Sequence, residues 1–432
     1  MHQNIIRNFH LDKEKILSLW LLELENQCKD IYTTSLCNIK LVANKLQLLD
    51  QESFIFIVTG TNGKGTTCLV LEQLLIYSGY RVGLYTSPHL IKYIERVRIN
   101  GKYLSPLEHI LAFSEIEFEK NNIALTYFEF ITLSALFLFK KERLDVLILE
   151  VGIGGRLDAT NIINADVSII TNIAIDHAQL LGCDRESIGF EKSDIFRNKK
   201  IAIIGDKNIP HSVYNTVKER NVILKKIGHD WKWKVNDNSW DFFSKNDCFT
   251  DLPFPKVSLT NVVTAIAALC YSGLYFSKNN IKNVIKNLWL PGRFHIIYKN
   301  PLVILDVCHN PHAAIHLSQK LLKIKKNKVI HSVLAILKDK DIDGFLSPLL
   351  PLVNFWYCAS LDHPRSALGK NLIKYLPNSA KLFQNIPDAF VDAFYNACQD
   401  DIILVLGSFM TVSEILFFIE NEQFFKTEHL KI

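Results

Sequence analysis

The stretch FIFIVTGTNGKGTTC, residues 54–68, runs from an apolar segment through a glycine-rich turn with one lysine into a helical pattern. A turn of that kind points backbone N–H groups at an anion, and the dipole of the helix adds to the attraction. Lys64 would bring a fixed positive charge to the outer phosphates of a nucleotide, with Thr61, Asn62, Gly63, Gly65 and Thr66 around it. The spelling departs from G-x-x-x-x-G-K-[ST] twice: Val58 stands where the outer glycine belongs, and Gly65 follows the lysine in place of a metal-binding Ser or Thr. An ordinary strand–turn–helix with a surface lysine is the competing reading, and the three glycines and asparagine of GTNGKG speak against it. The missing hydroxyl leaves open what would hold a magnesium ion.

Other candidates follow at the ends of apolar runs. Ser87, in TSPHL, could be a metal ligand, a helix cap or neither. Glu150 closes DVLILE, a run that should be buried; an ionised carboxylate there is costly unless it meets a cation. Magnesium beside a triphosphate would answer that cost, and so would pairing with Arg156. Gly152, Gly154 and Gly155 allow a substrate close to the backbone. His177, just past another strand, reads equally as a ligand or a structural residue. Lys192 has no role that spacing defines. Asp306 ends a strand, His309-Asn310-Pro311 opens a helix, and Arg293 could reach a phosphate or form an interdomain salt bridge to Asp306.

These residues need strands to hold them. FIFIVTG (54–60), VGLYTS (82–87), DVLILEVG (145–152), VSIITNI (167–173) and KIAIIGD (200–206) are short Val/Ile-rich runs with helical periodicity between some of them, as in TTCLVLEQLLIYSG closing at Gly79. That alternation predicts a mostly parallel sheet covered on both faces, with ligands beyond the carboxyl ends of its strands. A second series, LVILDVCHN (302–310), VIHSVLAIL (329–337), NFWYCAS (354–360) and IILVLGS (402–408), follows a turn or linker at Pro291-Gly292. The expected architecture is α/β in two domains, residues 1–290 and 291–432, with a small β excursion in the tryptophan-bearing segment from about Asn208 to Pro255.

The bulk numbers agree with a globular enzyme. The 432 residues are 48% hydrophobic and 22% charged, enough for a large core and unlike a disordered chain. A net charge of +5 suits anionic small molecules and is no nucleic-acid signature. Nine scattered cysteines without a C-x-x-C pair argue for a reducing compartment. The N-terminus lacks a signal-peptide core, and FITLSALFLF (130–139) is too short to span a bilayer. A cytoplasmic protein without membrane or nucleic-acid partners is expected.

Taken in order, the text GTNGKGTTC, SPHL-x-x-Y-x-ERVRI, LTYFEF, LDV-ILEVG-GGRLDATNI, DH-x-x-LG-DRESIG-EK, LPGRF, ILDV-HNPHA and GSF-TV resembles the folylpolyglutamate synthases, and among them the bacterial type that is also a dihydrofolate synthase. The resemblance runs from about Ser18 to Glu414. It implies a Mur-ligase-like fold with an N-terminal P-loop domain and a Rossmann-like C-terminal domain. It also implies a monomer that adds L-glutamate to 7,8-dihydropteroate and to reduced folates through an acyl phosphate. Two Mg2+ ions would serve ATP, the first on Ser87 and Glu150, the second using His177. Lys192 would carry a CO2-derived carbamate, turning a cation into an anion beside magnesium. Asn261, Arg293 and Asp306, with His309 beside them, would hold ATP. Thr126, Tyr127, Phe128 and Glu129 with Leu157, Asp158 and Ala159 would hold the pterin-bearing substrate. Two departures stand out: EKSDIFR has Asp194 where the family has Gly, and IYTTSL (31–36) replaces the family's TIDLGL-like text. Such chemistry needs placement and charge neutralisation rather than an enzyme nucleophile, with Lys64, His177 and Lys192 nearest the reaction, and closure between domains hinged at Pro291-Gly292. A cell-wall amino-acid ligase, a plain ATPase or kinase and a non-catalytic nucleotide-binding module are the alternatives; LTYFEF and RLDATN oppose the first, and the intact ligand set opposes the last.

Overall fold

A computed structural model describes residues 12–28, 31, 35–421 and 424–425. The chain divides into two compact units. The first comprises residues 1–89, 93–173 and 181–288; the second comprises 90–92, 174–180 and 289–432.

The first unit is built on an eight-stranded sheet. Its strands are β1 (Phe54–Thr59), β2 (Val82–Tyr85), β3 (Val97–Ile99), β4 (Lys102–Tyr103), β5 (Val146–Glu150), β6 (Val167–Ile170), β7 (Ile201–Ile204) and β8 (Ile223–Lys226). They lie in the order β4-β3-β2-β5-β1-β6-β7-β8. The six from β2 to β8 pair in parallel, and β3 and β4 add an antiparallel edge. β1, β5 and β6 are buried along almost their whole length, which is why they read as unbroken apolar runs rather than alternating ones. Helices α1 (Lys13–Gln27), α2 (Lys64–Ile76), α3 (Pro106–Lys120), α4 (Tyr127–Lys141), α5 (Arg185–Ser193), α6 (His211–Glu219) and α7 (Leu259–Ser272) belong to this unit. FITLSALFLF is the buried body of α4. Among the described residues no helix is long and apolar enough to cross a membrane.

The expected β excursion is smaller than the sequence suggested. Residues 211–219 form α6, and β8 joins the main sheet. Only β9 (Trp231–Val235), β10 (Trp240–Ser244) and β11 (Cys248–Leu252) make a separate antiparallel sheet. Trp231, Trp240 and Phe242 are buried at its centre, so the aromatic residues marked the small sheet while the flanking helix and strand lacked any comparable signal.

The second unit carries a six-stranded sheet, β12 (His295–Lys299), β13 (Leu302–Asp306), β14 (Ile330–Leu334), β15 (Phe355–Cys358), β16 (Lys381–Leu382) and β17 (Ile402–Leu406), in the order β12-β13-β17-β14-β15-β16. All pairs are parallel except β12–β13. Apolar clusters fill both faces; α8 (Pro311–Lys325) lies on one, and α9 (Ile386–Asn396) and α10 (Phe409–Asn421) lie on the other. Pro291-Gly292 is a turn, as expected: Gly292 has φ 71 and its carbonyl accepts from Val307 N at 2.8 Å. All nine cysteines are free thiols.

Candidate functional site

Register brings the candidates of the first unit together. β1 lies between β5 and β6, with Val58 level with Glu150. The carboxyl ends of β1, β2 and β5 therefore present the glycine loop, Thr86-Ser87 and Glu150 side by side. The strand after the loop braces it: Asn172 O accepts from Thr61 N at 3.0 Å, Asn172 Oδ1 accepts from Asn62 N at 3.0 Å, and Thr171 Oγ1 donates to Asn62 O at 2.6 Å. Thr171 and Asn172 escaped the sequence reading, although they end VSIITN as a loop-facing strand terminus should.

Gly63 caps α2 in the left-handed region, φ 87 and ψ 0. A Cβ there would lie 2.3 Å from both Nδ2 and Oδ1 of Asn261, so the buried Asn261 at the start of α7 presses directly on the loop. Lys64 Nζ donates to Gly60 O at 3.0 Å and Thr61 O at 3.4 Å, which keeps the ammonium over the loop. Thr66 and Thr67 are buried in the first turn of α2.

Glu150 is 4% exposed. One of its oxygens accepts from Ser87 N at 3.1 Å, and a Cβ on Gly65 would sit 3.5 Å from the same oxygen. The carboxylate thus lies against the start of α2, where the missing Ser/Thr of the loop would have been. Arg156 is not its partner: that guanidinium pairs with Glu191 at 2.9 Å. A carboxylate and a hydroxyl are hard oxygen donors suited to Mg2+, which commonly takes only one or two protein ligands and completes its shell with phosphate and water. Among the described residues no three His, Cys, Asp or Glu side chains cluster as a metal cage.

The loop after β5 packs on the end of α5. Arg156 N donates to Glu191 O at 2.9 Å, and a Cβ on Gly155 would meet Glu191 O at 2.6 Å and Lys192 O at 3.0 Å. Only glycine allows that approach. Lys192 is 3% exposed. Asp194, the departure from the family text, is neutralised by an ion pair with Arg220, whose Nη1 also holds the Asp194 and Phe196 carbonyls at 2.8 Å.

The acceptor candidates divide into two kinds. Thr126 and Glu129 form the capping box of α4, each side chain bonding the other's backbone N–H. Asp158 is buried and accepts from Gly152 N, Ile153 N and Thr160; burial raises its pKa, and these bonds oppose the rise. Those three residues shape the backbone. Tyr127 and Phe128, in the first turn of α4, are partly exposed and have side chains to offer a ligand. Leu157 is partly exposed and Ala159 buried. In IYTTSL, residues 32–34 lie outside the described residues.

The second unit holds the remaining candidates. His177 adopts φ 51, a conformation uncommon for a residue with a side chain. Its neighbour Asp176 accepts from Lys340 Nζ at 2.6 Å, Asn310 Nδ2 at 2.8 Å and His177 N at 2.8 Å, with His309 Nε2 at 3.6 Å. Burial alone would raise the Asp176 pKa, but His309, His177 and Lys340 outweigh it and hold the carboxyl well below the usual range. His309 Nδ1 lies 2.8 Å from Val307 O. Asp306 accepts from Phe294 N and Cys308 N, both at 2.9 Å. Arg293 lies over the Phe409 ring at 5.1 Å; it is not within ion-pair distance of Asp306, although its charge acts on that carboxyl, and both residues belong to one unit. Lys340, in LKDKD, carried no spacing signal and is brought to Asp176 by tertiary packing alone.

Residues 58–269 match the Mur ligase middle domain and residues 292–409 the Mur ligase glutamate ligase domain. A protein of Buchnera aphidicola subsp. Schizaphis graminum described as dihydrofolate synthase/folylpolyglutamate synthase is 51% identical over 406 residues, covering 94% of this chain and 97% of that one. The structure of E. coli FolC in complex with DHPP and ADP superposes with a TM-score of 0.92 at 45% identity, over 94% of this chain and 98% of that one. A bifunctional folylpolyglutamate synthase/dihydrofolate synthase with Mn, AMPPNP and L-glutamate bound gives 0.89 at 44% identity, with the same coverage.

Proposed function

The chain belongs to the dihydrofolate synthase/folylpolyglutamate synthase family, and we propose that it joins L-glutamate to 7,8-dihydropteroate, giving dihydrofolate, and to reduced folates, giving folylpolyglutamates, with ATP converted to ADP and phosphate. The observation that carries this reading is the meeting of the Glu150 carboxylate, the Ser87 corner and the start of α2. It supports a nucleotide–metal site assembled without the usual P-loop hydroxyl. The ADP, AMPPNP, Mn, DHPP and L-glutamate held by the solved relatives support the same assignment.

The acceptor carboxylate attacks the γ-phosphorus of ATP, and ADP leaves. The glutamate amine then adds to the carbonyl carbon of the acyl phosphate; the tetrahedral adduct expels phosphate and loses a proton to give the amide. The loop N–H groups and Lys64 offset charge on the transferred phosphoryl group. Ser87 and Glu150 would hold a Mg2+ ion, which would supply further charge neutralisation, and His177 would be a ligand for a second ion. Asn261 is the first unit's candidate for contact with the nucleotide, and Arg293, Asp306 and His309 are the second unit's candidates. Tyr127, Phe128 and Leu157 face the acceptor, while Thr126, Glu129, Asp158 and Ala159 fix the backbone that presents them. Lys192 carries a carbamate, an anion suited to a metal's neighbourhood.

The test measures ATP-dependent phosphate release with Mg2+ and L-glutamate, separately with 7,8-dihydropteroate and tetrahydrofolate, and identifies products by mass spectrometry. Glutamate-dependent product from both acceptors is expected; none from either would overturn the assignment. Glu150→Gln should weaken the Mg2+ dependence with the fold retained. For Lys192, 13C-bicarbonate should give a carbamate resonance absent from Lys192→Ala, and short carboxylates should partly restore that variant's activity.

A further inference from the structure

Arg96 is 92% buried, with a relative exposure of 8%, and its charge is not used by any feature described above. It sits where the short helical turn Tyr93–Arg96 runs into β3. Its backbone carbonyl accepts from Thr86 N at 2.9 Å, so it is tied to the residue immediately before Ser87. Its Nε donates to His89 Nδ1 at 2.9 Å. Among the described residues nothing accepts a hydrogen bond from Nη1 or Nη2 and no carboxylate lies within ion-pair distance. Both nitrogens retain some solvent access. A buried guanidinium left in that state is costly unless something anionic arrives.

The surroundings say where that anion would come from. The guanidinium carbon lies 5.9 Å from the Tyr93 ring centroid. The Tyr93 hydroxyl is itself buried without a hydrogen-bond partner. The charge of Arg96 also acts on Tyr85 and Tyr127: burial pushes the Tyr127 hydroxyl up to about 12, and Arg96 opposes that rise in both. Phe128 packs near Tyr85 with ring centroids 6.1 Å apart. Arg96 therefore stands between the aromatic wall assigned to the acceptor and the Ser87 corner assigned to the metal. His89 keeps the fork aimed: its Nδ1 accepts from Arg96 Nε and leaves the two terminal nitrogens facing away from it.

We propose that Nη1 and Nη2 of Arg96 grip the carboxylate of the acceptor, orienting it for phosphoryl transfer, with His89 as the positioning residue that occupies Nε. This rests on the acceptor assignment above. A guanidinium with one edge already bonded presents its remaining N–H groups in a planar fork matched to a carboxylate. In dihydropteroate the only carboxylate is the reacting one, so the same contact fixes the nucleophile.

The test measures binding of 7,8-dihydropteroate and of its neutral methyl ester by calorimetry, without nucleotide or Mg2+ so that no metal holds the carboxylate. The wild-type protein should prefer the acid by roughly 10- to 100-fold, the range for a charge-assisted hydrogen-bonded contact. Arg96→Gln should erase the preference and leave ester binding unchanged. Arg96→Lys, which keeps the charge but not the fork, should retain part of it and raise the KM for acceptor without moving that for ATP. An undiminished acid preference in Arg96→Gln overturns the proposal; if that variant does not fold, an undiminished preference in Arg96→Lys with an unchanged acceptor KM does so. Equal binding of acid and ester by wild type defeats the Arg96 grip alone, whereas binding of neither defeats the acceptor assignment as well.

Discussion

Replacing Gly63 by Ala should damage the protein in a way that replacing Gly65, two residues on, should not. Gly63 holds φ 87 and ψ 0, and an L-residue in the left-handed region costs about 1–2 kcal/mol. The added methyl would also sit 2.3 Å from the Asn261 amide and 2.5 Å from its Cγ, far inside contact distance. Asn261 is buried, and displacing it adds about 1–3 kcal/mol of overpacking. The total is about 2–5 kcal/mol, and both the loop and Asn261 move, so nucleotide affinity falls as well. Gly65 is helical without positive φ, and its Cβ would make ordinary contact, 3.5 Å, with Glu150. Alanine is the better helix former by about 1 kcal/mol, so Gly65→Ala should be neutral or stabilising. Its methyl lies against the carboxylate and should weaken Mg2+-dependent nucleotide binding only. Urea unfolding followed by tryptophan fluorescence, with calorimetric titration of AMPPNP with and without Mg2+, separates the two. A wild-type midpoint and affinity for Gly63→Ala, or an equal loss of stability in Gly65→Ala, would refute the reasoning.

Lys64→Ala should lower kcat by about two orders of magnitude, the usual loss of a stabilising donor, with an unchanged melting curve; near-normal turnover would remove Lys64 from the reaction. His109 is fully buried with no partner for either ring nitrogen, and burial pushes its pKa down to about 4. The folded state therefore prefers the neutral ring, and stability falls as pH drops from about 6.5 towards 4, by up to about 3 kcal/mol. His109→Leu should make that acid limb shallower without loss at pH 7, and an unchanged limb in pH-dependent unfolding would sink the argument. Arg220→Ala should destabilise the wild type more than it destabilises Asp194→Gly, with a coupling of about 1 kcal/mol in a double-mutant cycle; additive effects would show that the pair does not compensate the acid. Since Arg220 already neutralises Asp194, Asp194→Gly should leave the carbamate signal proposed for Lys192 unchanged.

The parallel sheets were legible because buried strands carry their signal locally, in unbroken Val/Ile runs such as VLILE and IILVL. The edges were less so. β8 (ILKK) and β3 (VRI) are half-exposed and alternate too briefly to stand out, and α6 was absorbed into the tryptophan-bearing segment because HSVYNTVKE has only two aliphatic residues, Val213 and Val217, to mark its buried face. At the site, the positions of Lys64 in its loop, Glu150 at its strand end and Ser87 after β2 could be read from their motifs, because those positions are local. Residues whose meaning lies in a partner could not be. Thr126 and Glu129 stand in a quoted motif, and only the structure shows that their side chains cap a helix.

By itself the sequence determined the alternation of strand and helix, the phosphate loop and the order of acid, hydroxyl and lysine along the chain, because periodicity, turn chemistry and charge are local properties of the residues. It could not decide which side chains meet. The Asn261 amide against Gly63, Glu150 against Gly65, Arg220 on Asp194, Lys340 on Asp176 and Arg96 with two nitrogens left to offer all join residues distant in sequence or turned by local geometry. Burial sets the energy of a charge, and burial and partnership are made only when the sheet closes and the helices pack.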